Sequence, residues 1–239
     1  MSASEKLVLA LDVPDLESAE ELVNKLKGCV KVFKVGTQLF TTEGAKVIDM
    51  INKKNCKVFL DLKFHDIPNT VKGAVESAVN LGVYIIDVHA SGGYEMMKAA
   101  ADAAKQKSKE ISVERPLILG VTVLTSINQE VLNNELNVDK DLNEQVVCLA
   151  KLAKSAGLDG VVASPNEIKK IRDVCGDDFV ILTPGIRHSK DELNDQKRVM
   201  TPRQAIKQGA DFIVVGRPIR NAINPVEAAK DIINEMEER

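Results

Sequence analysis

Asp61-Leu62-Lys63-Phe64-His65-Asp66-Ile67-Pro68-Asn69-Thr70 follows the short apolar run Cys56-Lys57-Val58-Phe59-Leu60. That run has the β-favouring character of a buried parallel strand. Pro68, with Thr70 beside it, marks a helix start, so the stretch reads as a strand–loop–helix junction. Side chains alternate along a strand, which points Asp61 and Lys63 the same way, and a loop can return Asp66 to the same spot. Carboxylate, ammonium and carboxylate crowded at a strand's end build a poor core, because charges that leave water need partners. Taken alone, a D-x-K-x-x-D spacing also fits a solvated charged loop.

Working outward, the flanking sequence repeats the same rhythm. Strands are predicted at 6–12, 30–36, 56–60, 84–89, 116–123, 160–163, 179–183 and 211–215, with helices between them. Pro14-Asp15 opens the first helix and Gly28 ends it. A second helix is expected from about Thr41 to Lys53. The Asn-rich segment from Ile127 to Asp141 reads as a loop with one short helix. Alternating strands and helices in this number predict an α/β chain forming a single (β/α)8 TIM barrel over 1–239. A doubly wound open sheet is the competing fold.

The composition agrees with one large aliphatic core. The chain has 239 residues, 44% of them hydrophobic but only 3% aromatic, and no Trp. A net charge of −3 with dispersed Lys and Arg gives no electrostatic case for nucleic acid. There is no secretory signal pattern and no run of membrane-spanning length, so a cytoplasmic protein without membrane partners is expected. Cys29, Cys56, Cys148 and Cys175 have neither zinc nor redox spacing and read as reduced thiols.

Polar residues recur where the strands end: Asp12, Lys34, Asp61, Lys63, Thr125, Arg187, Gly216 and Arg217. Each alone fits a cap or a solvated charge. Their shared position is informative, because the C-terminal strand ends form the active-site face of a barrel. Loops after the seventh and eighth strands commonly hold phosphate in such folds. Here they read TPGIR and VVGRPI, in which Gly216 admits an anion to backbone N–H groups and Arg217 can grip it. An ordinary turn is the alternative for that pair. The polar stretch Arg187–Arg198 has the look of a lid. His65 and His89 are expected to support their loops and His188 to be solvated, which leaves no metal set among the histidines.

DLKFHDIPNT resembles, almost letter for letter, the signature of the orotidine 5′-phosphate decarboxylase family. Matching residues at the other strand ends extend the resemblance over nearly the whole chain. It implies decarboxylation of orotidine 5′-phosphate to UMP and CO2, the last step of UMP biosynthesis, with no cofactor and no metal. Lys34, Asp61, Lys63 and Asp66 would form an alternating charge array, with Asp66 donated by the partner chain of a homodimer. Asp12 and Lys34 would bond the ribose hydroxyls, while Thr125 and Ser126 would meet the pyrimidine. Gly216 and Arg217 would hold the phosphate, and Gln196 would span phosphate and base from the lid. Thr70 would reach ribose or phosphate in the neighbouring subunit's site. Asp61, Ile67, Pro184 and Arg187 complete the implied substrate-binding set. No fused phosphoribosyltransferase domain is expected.

Two rivals remain at this level. Magnesium-dependent sugar-phosphate enzymes such as 3-keto-gulonate phosphate decarboxylase and hexulose phosphate synthase share the D-x-K-x-x-D element. They carry a metal-binding acid where this chain has Lys34. A catalytically silent phosphate-binding barrel is the other, and it would gain little from keeping the charged quartet.

Overall fold

Short runs of Val, Ile, Leu and Phe become strands here because each can be buried on both faces. In a computed structural model that describes residues 2–186 and 200–237, eight such runs close into a barrel. They are β1 (Leu7–Ala10), β2 (Val32–Gly36), β3 (Lys57–Phe64), β4 (Ile85–His89), β5 (Leu117–Val121), β6 (Gly160–Val162), β7 (Val180–Thr183) and β8 (Phe212–Val215). Every neighbouring pair is parallel, and β8 pairs with β1 through Val8↔Val214. The expected (β/α)8 barrel is therefore present.

Alternation along each strand sorts the core into two layers. Val8, Ala10, Val32, Phe59, Ile85, Leu119, Leu182, Phe212 and Val214 fill the barrel interior. Their neighbours, such as Leu7, Leu9, Phe33 and Ile86, point outward under the helices. With few aromatics available, Phe59 and Phe212 supply the bulk at the centre, both essentially inaccessible to solvent.

The helices begin and end where the local chemistry dictates. Asp15 caps Leu16–Leu26 by accepting the Ser18 N–H at 2.8 Å, and Asp141 caps Leu142–Ser155 in the same way. Pro68 sits in the first turn of Pro68–Asn80, where its missing N–H costs nothing. The expected single helix from Thr41 to Lys53 is instead two, Thr37–Glu43 and Ala45–Lys53. Gly44 breaks it with φ 59° and ψ −142°, a conformation that side chains disfavour. The structure also contains the helix Pro202–Gln208, capped by Thr201, which periodicity did not suggest.

β3 departs from expectation in a way that matters for the site. It runs on through Asp61, Leu62, Lys63 and Phe64 rather than stopping at Leu60. Its register against β4 shifts between Leu60↔Ile86 and Phe64↔Val88, and Lys63 takes φ 52° within that irregularity. Asp61 and Lys63 still reach the same cavity, as expected from the sequence, but through a bulge rather than simple alternation. Among the described residues no helix is long and apolar enough to cross a membrane. All four cysteines are free thiols.

Candidate active site

Because all the strands are parallel, their C-terminal ends open on one side of the barrel. A cavity of about 350 Å³ lies there. Its polar wall contains Asp12, Lys34, Asp61, Lys63, Thr125 and Arg217, and its floor is apolar, with Phe59, Val121, Leu182 and Val214. Apolar walls with a few convergent polar groups are the usual make-up of a small-molecule site.

Asp61 is the centre of the polar wall. Its Oδ2 lies 2.9 Å from Lys34 Nζ, and its Oδ1 accepts from Lys63 Nζ. Lys34 also lies 3.3 Å from Asp12 Oδ1. The Lys34 and Asp61 side chains are only 13% and 12% exposed, so this pair is shielded from water and its Coulomb attraction is less screened than in a surface ion pair. Burial works to raise the Asp61 pKa, but Lys34 and Lys63 outweigh it and hold the carboxyl well below the usual carboxylate range. Burial likewise works to lower Lys34, and Asp61 with Asp12 reverses this, leaving the ammonium above its ordinary value. The result is a fixed row of alternating charge.

The segments that follow β7 and β8 also line the cavity. Gly185 at the end of β7 has φ 80°, and Gly216 begins the short helix Arg217–Arg220. Pro184, Gly185, Gly216 and Arg217 all line the cavity, as the TPGIR and VVGRPI segments predict. Arg220 lines it as well, and was not singled out from sequence. Its guanidinium donates to the Asp12 backbone carbonyl and lies 3.9 Å from Asp12 Oδ2. The signal available was its spacing, one helical turn beyond Arg217.

The remaining sequence candidates divide into two groups. Arg187 and Gln196, with the lid stretch and His188, lie outside the described residues. Ser126, Asp66, Ile67 and Thr70 are exposed and absent from the cavity wall. Asp66 Oδ1 accepts the adjacent Ile67 N–H at 2.6 Å, and Ile67 is 67% exposed. The His65 and His89 rings meet at a tilt of 43°, with centroids 5.2 Å apart. Burial, then the neighbouring His65 and Lys63, lowers the His89 pKa. Among the described residues no group of three or more His, Cys, Asp or Glu converges as a metal set.

Comparison with known proteins fits this geometry. Residues 5–232 match the family described as orotidine 5′-phosphate decarboxylase / HUMPS. The chain belongs to this family. Among curated relatives, an orotidine 5′-phosphate decarboxylase of Syntrophotalea carbinolica is 54% identical, over 99% of this chain and 96% of its own. Another, from Syntrophomonas wolfei, is 51% identical over the full length of both. A crystal structure of orotidine 5′-phosphate decarboxylase from Lactobacillus acidophilus superposes with a TM-score of 0.88 at 40% identity. That match covers 98% of this chain and all of the other. The family frame thus coincides with the barrel, and the cavity lies at the face where barrels of this kind carry their chemistry.

Proposed function

We propose that this protein decarboxylates orotidine 5′-phosphate to UMP and CO2 without a cofactor, using Lys34, Asp61, Lys63 and Asp66 of the partner subunit. The observation that carries this is the buried Asp61 carboxylate held between two lysines at the mouth of the barrel. Full-length relatives bearing the name of that enzyme supply the substrate.

Breaking the bond between C6 of the pyrimidine and its carboxyl leaves the electron pair on C6 as a carbanion with little delocalisation. Charge fixed in advance by the protein can stabilise such an ion without reorganising as it forms. Lys63 is the group in position to do so and to hand C6 its proton, afterwards regaining one from water. Asp61 crowds the departing carboxylate, whose negative charge leaves with CO2, and at the same time keeps Lys63 ionised and aimed. Lys34 and Asp12 take the ribose hydroxyls, Thr125 and Ser126 the base, and Gly216 with Arg217 the phosphate. Pro184, Arg187 and Gln196 complete the pocket on the phosphate side. Binding energy from that remote phosphate holds the ring against the charge row.

Asp66 and Thr70 serve a second copy of the chain, and Ile67 between them belongs to the substrate-binding set. Their exposure beside the cavity, without a place in its wall, supports a shared site in a homodimer. A lysine at position 34, rather than an acid, supports metal-free chemistry over the sugar-phosphate alternative. The test is loss of orotidine 5′-phosphate absorbance in excess EDTA. Turnover should be unchanged; abolition by EDTA with recovery on adding magnesium would overturn the proposal.

A further inference from the structure

Asp87 stands where the barrel's ladder is interrupted. The register shift between Leu60↔Ile86 and Phe64↔Val88 gives β3 extra residues against β4, and a bulge strands backbone donors without a ladder acceptor. The Lys63 N–H, at the left-handed position of the bulge, donates instead to Asp87 Oδ1 at 2.8 Å. Asp87 itself is completely buried. Its other oxygen, Oδ2, accepts from no donor.

The surroundings of this orphaned oxygen are mostly apolar. β4 places Asp87 beside Leu119 of β5, and Ile85 and Phe59 fill the interior below. From β3 the charged groups facing it are Asp61 and Lys63, and the Lys63 ammonium is already paired with Asp61. On β4 itself the next titratable group is His89, half-buried and tilted against the ring of the exposed His65. Two neighbouring carboxylates in so dry a place cannot both be ionised. Asp61, flanked by Lys34 and Lys63, is the one that keeps its charge. A proton on Asp87 Oδ2 turns the orphaned acceptor into a donor and gives it Asp61 as a partner.

We propose that Asp87 is a positioning residue that works as a neutral carboxylic acid, its Oδ1 anchoring the Lys63 backbone and its O–H donating to Asp61. Burial, then the proximity of Asp61, pushes its pKa well above the ordinary carboxylate value, the direction such a role needs. Asp87 touches no substrate in this arrangement. It fixes both ends of the Asp61–Lys63 pair, one through the backbone and one through the side chain. Its effect on rate rests on the assignment of Lys63 as proton donor made above; its protonation state does not.

Asp87→Asn tests the idea, since the amide reproduces the neutral acid: its oxygen accepts from Lys63 N–H and its NH2 donates to Asp61. We expect kcat within about threefold of wild type, whereas Asp87→Ala should lose on the order of 100-fold, the scale set by displacing a reacting group about 1 Å. Affinity for UMP should stay within about threefold in both, because the lost contact aims Lys63 rather than binding nucleotide. Should Asp87→Ala fail to fold, the asparagine variant and a spectrum still decide. With 13C-labelled aspartate, wild type at neutral pH should show a protonated carboxyl resonance that is missing from Asp87→Asn. Absence of that resonance overturns the proposal. So does an asparagine variant as impaired as the alanine one, because charge would then be required. If wild type fails to turn over orotidine 5′-phosphate, the functional assignment falls, and the carboxyl resonance alone settles whether Asp87 carries its proton.

Discussion

At the scale of single residues, the charge row separates binding from chemistry. Lys63 is pinned at its backbone by Asp87 and at its ammonium by Asp61, while Arg217 lines the same cavity from the start of the short helix after β8. Lys63→Ala should therefore remove most of kcat while leaving UMP affinity nearly intact. Arg217→Ala should chiefly weaken nucleotide binding, by about 2–5 kcal/mol if it pairs with a buried phosphate. Steady-state kinetics with UMP as competing ligand separate the two, and a Lys63→Ala enzyme with near-normal turnover would remove Lys63 from the proton-transfer role. Asp12, Lys34, Asp61 and Lys63 were legible in the sequence because they share one position, the end of an apolar run, although each alone would fit a cap or a solvated charge. Asp87 was not, although it is the charged residue in Tyr84-Ile85-Ile86-Asp87-Val88-His89. Its meaning depends on a register shift in the neighbouring strand, which no periodicity reveals.

Elements are held together on the opposite face by a different use of charge. Asp159, just before β6, accepts the Ile118 N–H of β5 at 2.8 Å, and Asp211, just before β8, accepts the Ile181 N–H of β7 at 2.8 Å. Each acid meets an arginine: Arg115 forks onto Asp159, and Arg172 lies 2.8 Å from Asp211. Arg172 goes further and donates to the carbonyls of Gly176, Phe179 and Gly209, tying the end of one helix to the entries of β7 and β8. Its side chain is only 14% exposed, so truncation leaves several carbonyl acceptors without a donor and the Asp211 carboxylate without its counter-ion, with the Ile181 N–H still on it. Arg172→Ala should cost about 3 kcal/mol in urea unfolding, with kcat of the folded fraction unchanged. A loss under about 1 kcal/mol would show that water replaces these bonds freely. A smaller but sharper effect belongs to Gly160, where an added Cβ would meet the Val180 carbonyl oxygen at 2.1 Å. Gly160→Ala must push β6 from β7, and should unfold at measurably lower denaturant than wild type; an unchanged midpoint would mean that the strands separate without strain. The eight strands could be read from sequence because buried parallel strands are bare apolar runs. The break at Gly44 and the helix Pro202–Gln208 could not, since apolar spacing continues across the first and the second is a single short capped segment.

For the whole molecule, the open question is how chains assemble around the cavity. The segment from His65 to Thr70 is exposed throughout and contributes nothing to the wall, yet it directly follows the strand that carries Asp61 and Lys63. If Asp66 completes the site of a partner subunit, each active site takes Lys63 from one chain and Asp66 from the other. Lys63→Ala and Asp66→Asn homodimers should then both be nearly inactive. Mixing them under mild denaturant, allowing exchange and diluting gives mixed dimers in which one site carries both lesions and the other neither. Under two-fold symmetry with random exchange, half the dimers are mixed and half their sites intact, so activity should return to about a quarter of wild type. Asp66→Asn is nearly isosteric, which limits the chance that the loop merely unfolds, and each mutant taken alone through the same cycle controls for refolding. A mass tag on one variant reports exchange independently of activity. Exchange confirmed by the tag with activity still at the mutants' baseline would mean that Asp66 serves its own chain or none, and the shared site would have to be given up.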